Sequence, residues 1–126
     1  MIIPMLVCTD GAAEIEFCKA AFSAVELARR IGPAGEVMHA TLKIGEDLFM
    51  VHGQYASLKS VPPSNDGSSP VVIYLYIDDV DVVIDRAVKA GAVILLPPTN
   101  QPWGDRVGRV MDPAGHVWNV AAHLSG

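Results

Sequence analysis

Residues 103–118 read WGDRVGRVMDPAGHVW, and this stretch decides the fold. Two β-type runs, residues 106–111 and 116–122, flank the sequence DPAG at residues 112–115. Pro and Gly satisfy the dihedral angles of a tight turn, and Asp can accept a hydrogen bond from the backbone ahead of it. The stretch therefore predicts a β-hairpin near the C-terminus, with a turn that has no other role.

A hairpin with the same layout occurs one half-chain earlier. Residues 37–44 and 48–52 flank a turn at residues 45–47, which read GED. Each hairpin is preceded by a β-rich run, residues 2–8 and 71–77, and then by a helical segment. The two halves are thus related by a shift of roughly 70 residues, which indicates an internal duplication.

Acidic residues start both helices. Asp10 follows Thr9 in the first half, and Asp79 follows Asp78 in the second half. These side chains can cap unpaired backbone N–H groups and suit the positive end of the helix dipole. We therefore expect the helices to begin immediately after these residues, with ordinary structural caps.

Apolar residues form one stripe along each helix. In the first helix the stripe comprises Ile15, Cys18 and Phe22, with Val25 as its next member, and the helix ends before the turn at residues 32–35. In the second helix the spacing i, i+3, i+4, i+7 and i+8 is met by Val80, Val83, Ile84, Ala87 and Val88. Both helices should therefore pack on a sheet.

The domain organisation follows from this repeat. We expect one domain over residues 1–126, with a first module at about residues 1–58 and a second at about residues 71–126. The linker, at about residues 59–70, is rich in Pro, Ser and Gly, which is typical of a surface segment. It could also act as a lid over a pocket.

Composition and charge exclude several classes of protein. The formal charge is −5, from 9 Lys and Arg against 14 Asp and Glu, so neither nucleic acid nor an anionic membrane surface is an expected partner. No apolar run approaches the roughly 20 residues of a membrane helix. The two cysteines, Cys8 and Cys18, fit neither a disulfide framework nor a zinc site and are expected to be reduced and buried. With no signal-peptide pattern at the N-terminus, the expected location is cytoplasmic.

The motif at residues 103–118 resembles that of the PhnB-like branch of the glyoxalase/bleomycin-resistance/dioxygenase (vicinal-oxygen-chelate) superfamily. Residues 10–22 and 37–40 are similar to the same branch at the same relative positions. The chain departs from the branch at Cys18, Val107 and Ala114, where aromatic residues are usual. The resemblance implies an α+β fold of two tandem βαβββ modules, whose curled mixed sheets surround a cleft, and a symmetric homodimer.

The resemblance also implies four metal-ligand positions, one on each of four strands. By strand order they fall at Ile3, Met50, Val72 and Asn119. Aliphatic and thioether side chains and a single amide do not suit a hard or borderline divalent ion. We therefore expect the metal site to be lost and no cofactor to be needed, although His52 lies two residues from Met50 on the same strand face.

Candidate ligand-binding residues lie on several predicted strands and in the 103–106 loop. They are His39, Thr41, Met50, His52, Tyr74, Tyr76, Trp103, Arg106 and Asn119. Imidazole, phenol, indole and guanidinium groups can bond or stack on a flat organic ligand. Each also has a purely structural interpretation. The histidines could be hydrogen-bonded within their strands, the tyrosines could pack on the sheet, and Asp105 could pair with Arg106 or Arg109 in the loop.

Two faces are expected on the last strand. His116, Trp118 and Val120 lie on one face, and Asn119 lies on the other, which the resemblance directs into the cleft. His116 and Trp118 would then pack between sheet and helix. In the same way, His39 shares a strand face with Val37 and Thr41.

Three functions fit this sequence. The first is a non-catalytic protein that binds a small organic molecule as a homodimer. The second is a divalent-metal-dependent lyase, isomerase or dioxygenase with displaced ligands such as His39 and His52, or a metal-free catalyst that uses these histidines as bases. The third is an interaction domain without a pocket. Nucleophile-elbow, P-loop, dinucleotide-binding and zinc-protease motifs are missing from the sequence.

Overall fold

A computed structural model describes residues 1–125. Its regular elements are β1 (Met5–Val7), α1 (Gly11–Phe22), β2 (Val25–Ile31), β3 (Val37–Ile44), β4 (Asp47–His52), a short 3₁₀ turn (Ala56–Leu58), β5 (Val72–Tyr76), α2 (Val80–Lys89), β6 (Val93–Asn100), β7 (Asp105–Met111) and β8 (Val117–His123). The strands form two four-stranded mixed sheets, ordered β1-β4-β3-β2 and β5-β8-β7-β6. The predicted tandem βαβββ modules are confirmed, and the sheets do not close into a barrel.

Both helix starts agree with the sequence. The Asp10 side chain accepts a hydrogen bond from the Ala13 N–H, and Asp79 accepts one from the Val82 N–H. The end of α1 differs from the prediction, because Ser23 adopts a left-handed conformation with φ of 57° and ends the helix. Val25, predicted as part of the helical stripe, instead begins β2 and is exposed.

Strands β2 and β6, each at one edge of its sheet, were not predicted from the sequence. β2 is exposed at almost every position, and β6 contains Pro97 and Pro98. Neither strand therefore shows the apolar–polar alternation of a half-buried strand, and proline is tolerated at a sheet edge because no partner needs its missing N–H. Only the family resemblance implied a third strand after each helix.

The two modules share one hydrophobic core. Helix α1 packs against α2, and the Trp118 ring of β8 contacts Phe22 and Phe49 of the first module, with ring centroids 4.7 and 6.1 Å apart. Cys8 and Cys18 are free and buried, as expected, and burial raises the pKa of both thiols.

Two residues are placed differently from the prediction. Val37 belongs to the helix-side core rather than to the strand face of His39, because the β2–β3 register shifts at this point. His116 lies before β8, not on the strand, and its Nε2 is 2.8 Å from the Val7 carbonyl oxygen of the first module. Trp118, as expected, is buried in the core.

The predicted turn at residues 112–115 is present, but its aspartate has a further role. The buried Asp112 carboxylate accepts hydrogen bonds from the Ala114 and His116 N–H groups and from Trp118 Nε1, which is 2.8 Å from Oδ2. Beside it lies Glu14 of α1, which is also buried and whose oxygens meet no donor. Burial first, and then the neighbouring Asp112 carboxyl, raise the pKa of Glu14 well above its ordinary range. Burial and the Asp112 carboxyl therefore both favour the protonated form of Glu14 in the folded protein.

The helices are short. Within residues 1–125 neither is long and apolar enough to cross a membrane.

Candidate functional site

Each sheet has a helix-covered face and an open face. In the second sheet Ile73, Leu75, Val110, Trp118 and Val120 pack into the core with the helices. Because side chains alternate along a strand, the residues between them point the other way. The register places Tyr74 beside Asn119, and Tyr76 beside Ala121, on this open face.

A cluster around Asp105 occupies the open face of the second sheet. Tyr74 and Tyr76 of β5 each donate a hydroxyl hydrogen bond of 2.6 Å to Asp105 Oδ2. Asp105 belongs to β7, and β8 lies between β5 and β7. Both phenol rings therefore extend across β8, which explains why Val107 and Ala121 are buried on this open face.

Two further aromatic groups complete the cluster. His123, at the end of β8, places Nδ1 3.0 Å from Asp105 Oδ1 and stacks on the Tyr76 ring at 4.4 Å. Trp103, in the loop before β7, donates its indole N–H to the Tyr74 hydroxyl at 3.2 Å. We call Tyr74, Tyr76, Trp103, Asp105 and His123 the aromatic–aspartate cluster. Its polar ends are bonded to each other, so the exposed ring faces remain for a ligand.

The hydrogen bonds fix the charges of the cluster. The hydroxyls of Tyr74 and then Tyr76 hold the pKa of Asp105 below its ordinary value, so this carboxyl is ionised. The hydrogen bond between Tyr76 and Asp105 raises the pKa of Tyr76 to about 12. Burial, followed by the bond to Asp105, raises the pKa of Tyr74. At neutral pH the cluster therefore combines two neutral phenols with a carboxylate that is only 4% exposed.

Neither arginine near the motif pairs with Asp105, so this alternative for the 103–106 loop is not the one that the structure adopts. Arg106 forms a two-pronged ion pair with Asp81 of α2 and also bonds the Asn100 side chain. Arg109 donates from Nε to Asn119 Oδ1 at 2.7 Å. Arg106 thus lies outside the aromatic–aspartate cluster, whereas Asn119 and Arg109 lie on the same open face.

The open face of the first sheet carries the predicted histidines. The β3–β4 register pairs His39 with His52, and Thr41 with Met50. The two imidazole rings are 6.1 Å apart, and His52 lies 4.7 Å from the Tyr55 ring. Both ring nitrogens of His52 are buried without a hydrogen-bond partner. This face is therefore less fully bonded than its counterpart in the second module.

The strand register refines the four inherited metal-ligand positions. Met50 pairs with Met5 rather than Ile3, and Asn119 pairs with Tyr74 rather than Val72. Two thioethers, a phenol and an amide form a poor donor set for a hard or borderline divalent ion. Among residues 1–125, no three His, Cys, Asp or Glu side chains converge as metal ligands. The residues at these positions do not fit the metal of the family.

Two larger cavities are lined by residues of both β1 and β5. Their volumes are about 430 and 470 Å³, and their walls are mainly apolar, including Leu6, Phe49 and Ile73. The second is bordered by linker residues 61–63 and 69–70. Of the nine candidate residues, only Tyr74 lines either cavity.

The structure divides the candidate residues into groups. Tyr74, Tyr76 and Trp103 come together around Asp105, and Asn119 lies beside Tyr74. His39, Thr41, Met50 and His52 lie together on the other sheet. The sequence analysis missed His123, because the last strand was expected to end one residue earlier, although its alternation with Asn119 and Ala121 was a usable signal.

Comparisons with known proteins agree with this architecture. The profile of the Glyoxalase/Bleomycin resistance protein/Dioxygenase superfamily matches residues 5–120. The uncharacterised protein Mb0911c of Mycobacterium bovis is 42% identical over 120 residues, which are 93% of this chain and 79% of the relative. Among solved structures, TioX from Micromonospora sp. ML1 superposes with a TM-score of 0.76 at 28% identity, over 98% of both chains. The fosfomycin resistance protein FosX from Mesorhizobium loti has a TM-score of 0.72 at 16% identity, over 98% of this chain and 92% of FosX, and so shares the fold.

The fold and its two open sheet faces define a protein of paired βαβββ modules. The chain belongs to the glyoxalase/bleomycin-resistance/dioxygenase superfamily.

Proposed function

We propose that this protein binds a small organic molecule without catalysis and without a metal, as a PhnB-like member of the superfamily. The observation that carries the proposal is the aromatic–aspartate cluster, whose rings are exposed while their polar ends are fixed by Asp105. Preorganised aromatic faces with few polar groups are typical of ligand sites. The donor set of Met5, Met50, Tyr74 and Asn119 supports binding over metal chemistry.

The proposal includes a homodimer. Within the described residues the backbones of the two sheets lie apart, and the modules meet through α1, α2 and the contacts of Trp118 with Phe22 and Phe49. A cleft between the histidine face of one sheet and the cluster of the other would therefore need a second copy. The outer strands expose apolar side chains that such contacts could cover, namely Val25, Leu27 and Ile31 on β2 and Val93, Ile94 and Leu95 on β6.

A thermal-shift screen of small aromatic compounds tests binding. A compound at about 100 times its Kd stabilises the folded state by roughly 2.7 kcal/mol, which is easily detected. Hits should lose their effect in Tyr74→Ala and keep it in Asp85→Asn, a change on the exposed part of α2. A screen without a stabilising compound would contradict the proposal. Light scattering coupled to gel filtration should give twice the chain mass, and a monomer would refute the dimer.

A metal-dependent lyase, isomerase or dioxygenase is the second candidate. It is favoured by one observation, the adjacent His39 and His52 rings with the unpartnered nitrogens of His52. Plasma mass spectrometry of untagged protein, purified without chelator and equilibrated with Mn, Fe, Co, Ni and Zn, separates the candidates. Stoichiometric metal that is lost in His52→Gln would overturn metal-free binding and direct assays towards metal-dependent chemistry.

A further inference from the structure

The aromatic–aspartate cluster has a charge as well as a shape. Asp105 is ionised and buried, and its three hydrogen bonds come from two phenols and one imidazole rather than from an arginine or lysine. Its negative charge is therefore not cancelled by a permanent cation. The ring faces of Tyr74, Tyr76 and Trp103 are also electron-rich, because the aromatic quadrupole is negative above and below the ring.

The charged groups around the cluster also bear on its negative potential. A recess of about 320 Å³ adjoins the cluster and is lined by Tyr76, His123 and the exposed Asp78. Arg106 is engaged by Asp81. Arg109, four residues from Asp105 along β7, lies on the same open face, where its Nε is engaged by Asn119 Oδ1 at 2.7 Å.

We propose that the aromatic–aspartate cluster binds planar organic cations, which stack on the exposed rings of Tyr74, Tyr76 and Trp103 while Asp105 supplies the opposite charge. This inference rests on the proposed function and specifies its ligand class. Because the two hydroxyls and the indole N–H are already bonded within the cluster, stacking and charge are the interactions that remain for a ligand.

The two tryptophans of the chain provide the measurement. Trp103 is 64% exposed and Trp118 is 2% exposed, so a ligand on the cluster quenches mainly Trp103 emission. Three planar probes of similar size are compared: thioflavin T, which is a cation, phenylbenzothiazole, which is neutral, and anilinonaphthalene sulfonate, which is an anion. We expect thioflavin T to bind at least about tenfold more tightly than either of the others, and more weakly as salt is added.

Asparagine substitutions remove the charge of an aspartate and keep the shape of its side chain, so they test the part that charge plays in probe binding. Asp105→Asn should weaken thioflavin T binding about tenfold and weaken binding of the neutral probe by a clearly smaller factor. Asp85→Asn is the matched control, because it removes the same charge from the exposed part of α2 and should change nothing. If Asp105→Asn does not fold, Asp78→Asn on the exposed rim of the recess should weaken cation binding about twofold to threefold.

The outcomes distinguish this inference from the proposed function. Equal binding of the neutral or anionic probe, or unchanged cation binding in folded Asp105→Asn, would overturn the cation assignment and leave small-molecule binding in place. Failure of all three probes to quench Trp103 would also overturn it. Compounds from the thermal-shift screen would then show whether the protein binds ligands elsewhere.

Discussion

The two buried aspartates of the second module stand at opposite ends of β7 and serve opposite purposes. Asp105 begins the strand on the open face, where it bonds two phenols and an imidazole. Asp112 follows the strand on the helix side, where it accepts hydrogen bonds from the Trp118 indole and two backbone N–H groups and lies beside Glu14 of the first module. One carboxylate organises exposed aromatic rings, and the other holds the core ring of Trp118. The same residue type thus gives a surface site or a core contact according to the face it occupies.

The largest expected effect is a loss of stability on substitution of Asp112, the aspartate on the helix side. Asp112→Ala removes the acceptor of Trp118 Nε1 and of two backbone N–H groups, and buried donors without partners are costly. We expect the free energy of unfolding to fall by about 3 kcal/mol, as measured by urea denaturation. Asp85→Ala on the exposed part of α2 is the control and should stay within about 0.5 kcal/mol of the parent. A loss below about 1 kcal/mol at Asp112 would contradict this account.

The second prediction concerns the proton on Glu14. Its raised pKa means that the folded state keeps a proton which the unfolded chain releases above about pH 4.5, the ordinary value. The stabilisation is fully present below that pH and is lost as pH rises towards the folded-state pKa, by up to about 1.4 kcal/mol per pH unit. Glu14→Gln does not titrate, so its stability relative to the parent should increase from pH 4.5 to 8.

Denaturation of both proteins across this pH range measures the difference. The titratable groups beside Glu14 are Asp112, Cys8 and Cys18, and all are the same in the variant. Parallel pH profiles of the two proteins would show that Glu14 is ionised in the folded state.

The third prediction concerns Asp105, at the other end of β7, whose lowered pKa gives stability the opposite dependence on pH. The lowered pKa of Asp105 stabilises the protein above the ordinary value of 3.8, and this contribution is lost as pH falls through the folded-state pKa. Asp105→Asn should therefore unfold at a lower temperature than the parent at pH 7. This difference in unfolding temperature should become smaller in acid. The pKa of Tyr76 should also fall from about 12 towards 10, which ultraviolet absorbance of tyrosinate measures. If the tyrosinate titration is the same in Asp105→Asn and the parent, Asp105 is not the cause of the raised pKa of Tyr76.

The smallest expected effect compares the two indoles. Trp103→Phe removes an exposed hydrogen bond to Tyr74 and should cost less than about 1 kcal/mol in unfolding free energy. Trp118→Phe removes a buried bond to Asp112 and leaves a space against Phe22, so it should cost about 2 kcal/mol. Equal costs in denaturation experiments would mean that the aromatic–aspartate cluster is as important for folding as the core.

Much of the fold could be predicted from the sequence because its signals are local. The aspartate caps at Asp10 and Asp79, the apolar stripe of α2 and the turn at residues 112–115 each act over a few residues. The outer strands β2 and β6 escaped detection because an edge strand needs neither alternation nor a full set of donors.

The candidate site was predicted only in part. Tyr74, Tyr76 and Trp103 were recognised as residue types that bind ligands, but their common partner was not. Asp105 lies roughly 30 residues from Tyr74, and the pairing depends on the order β5-β8-β7. For the same reason the sequence suggested an arginine partner for Asp105, since Arg106 is adjacent in the chain but points towards α2.

By itself, the sequence determined the repeated order of strand, helix and hairpin, the helix starts and the buried cysteines, because these depend on residue type and short-range spacing. The third strand of each module was implied only by the family resemblance, and only the tertiary structure decided which carboxyl groups meet which donors. That choice favours the protonated form of Glu14, leaves a negative charge on Asp105 and turns one open sheet face into an aromatic surface, because hydrogen bonding and burial depend on neighbours brought together by the sheet order.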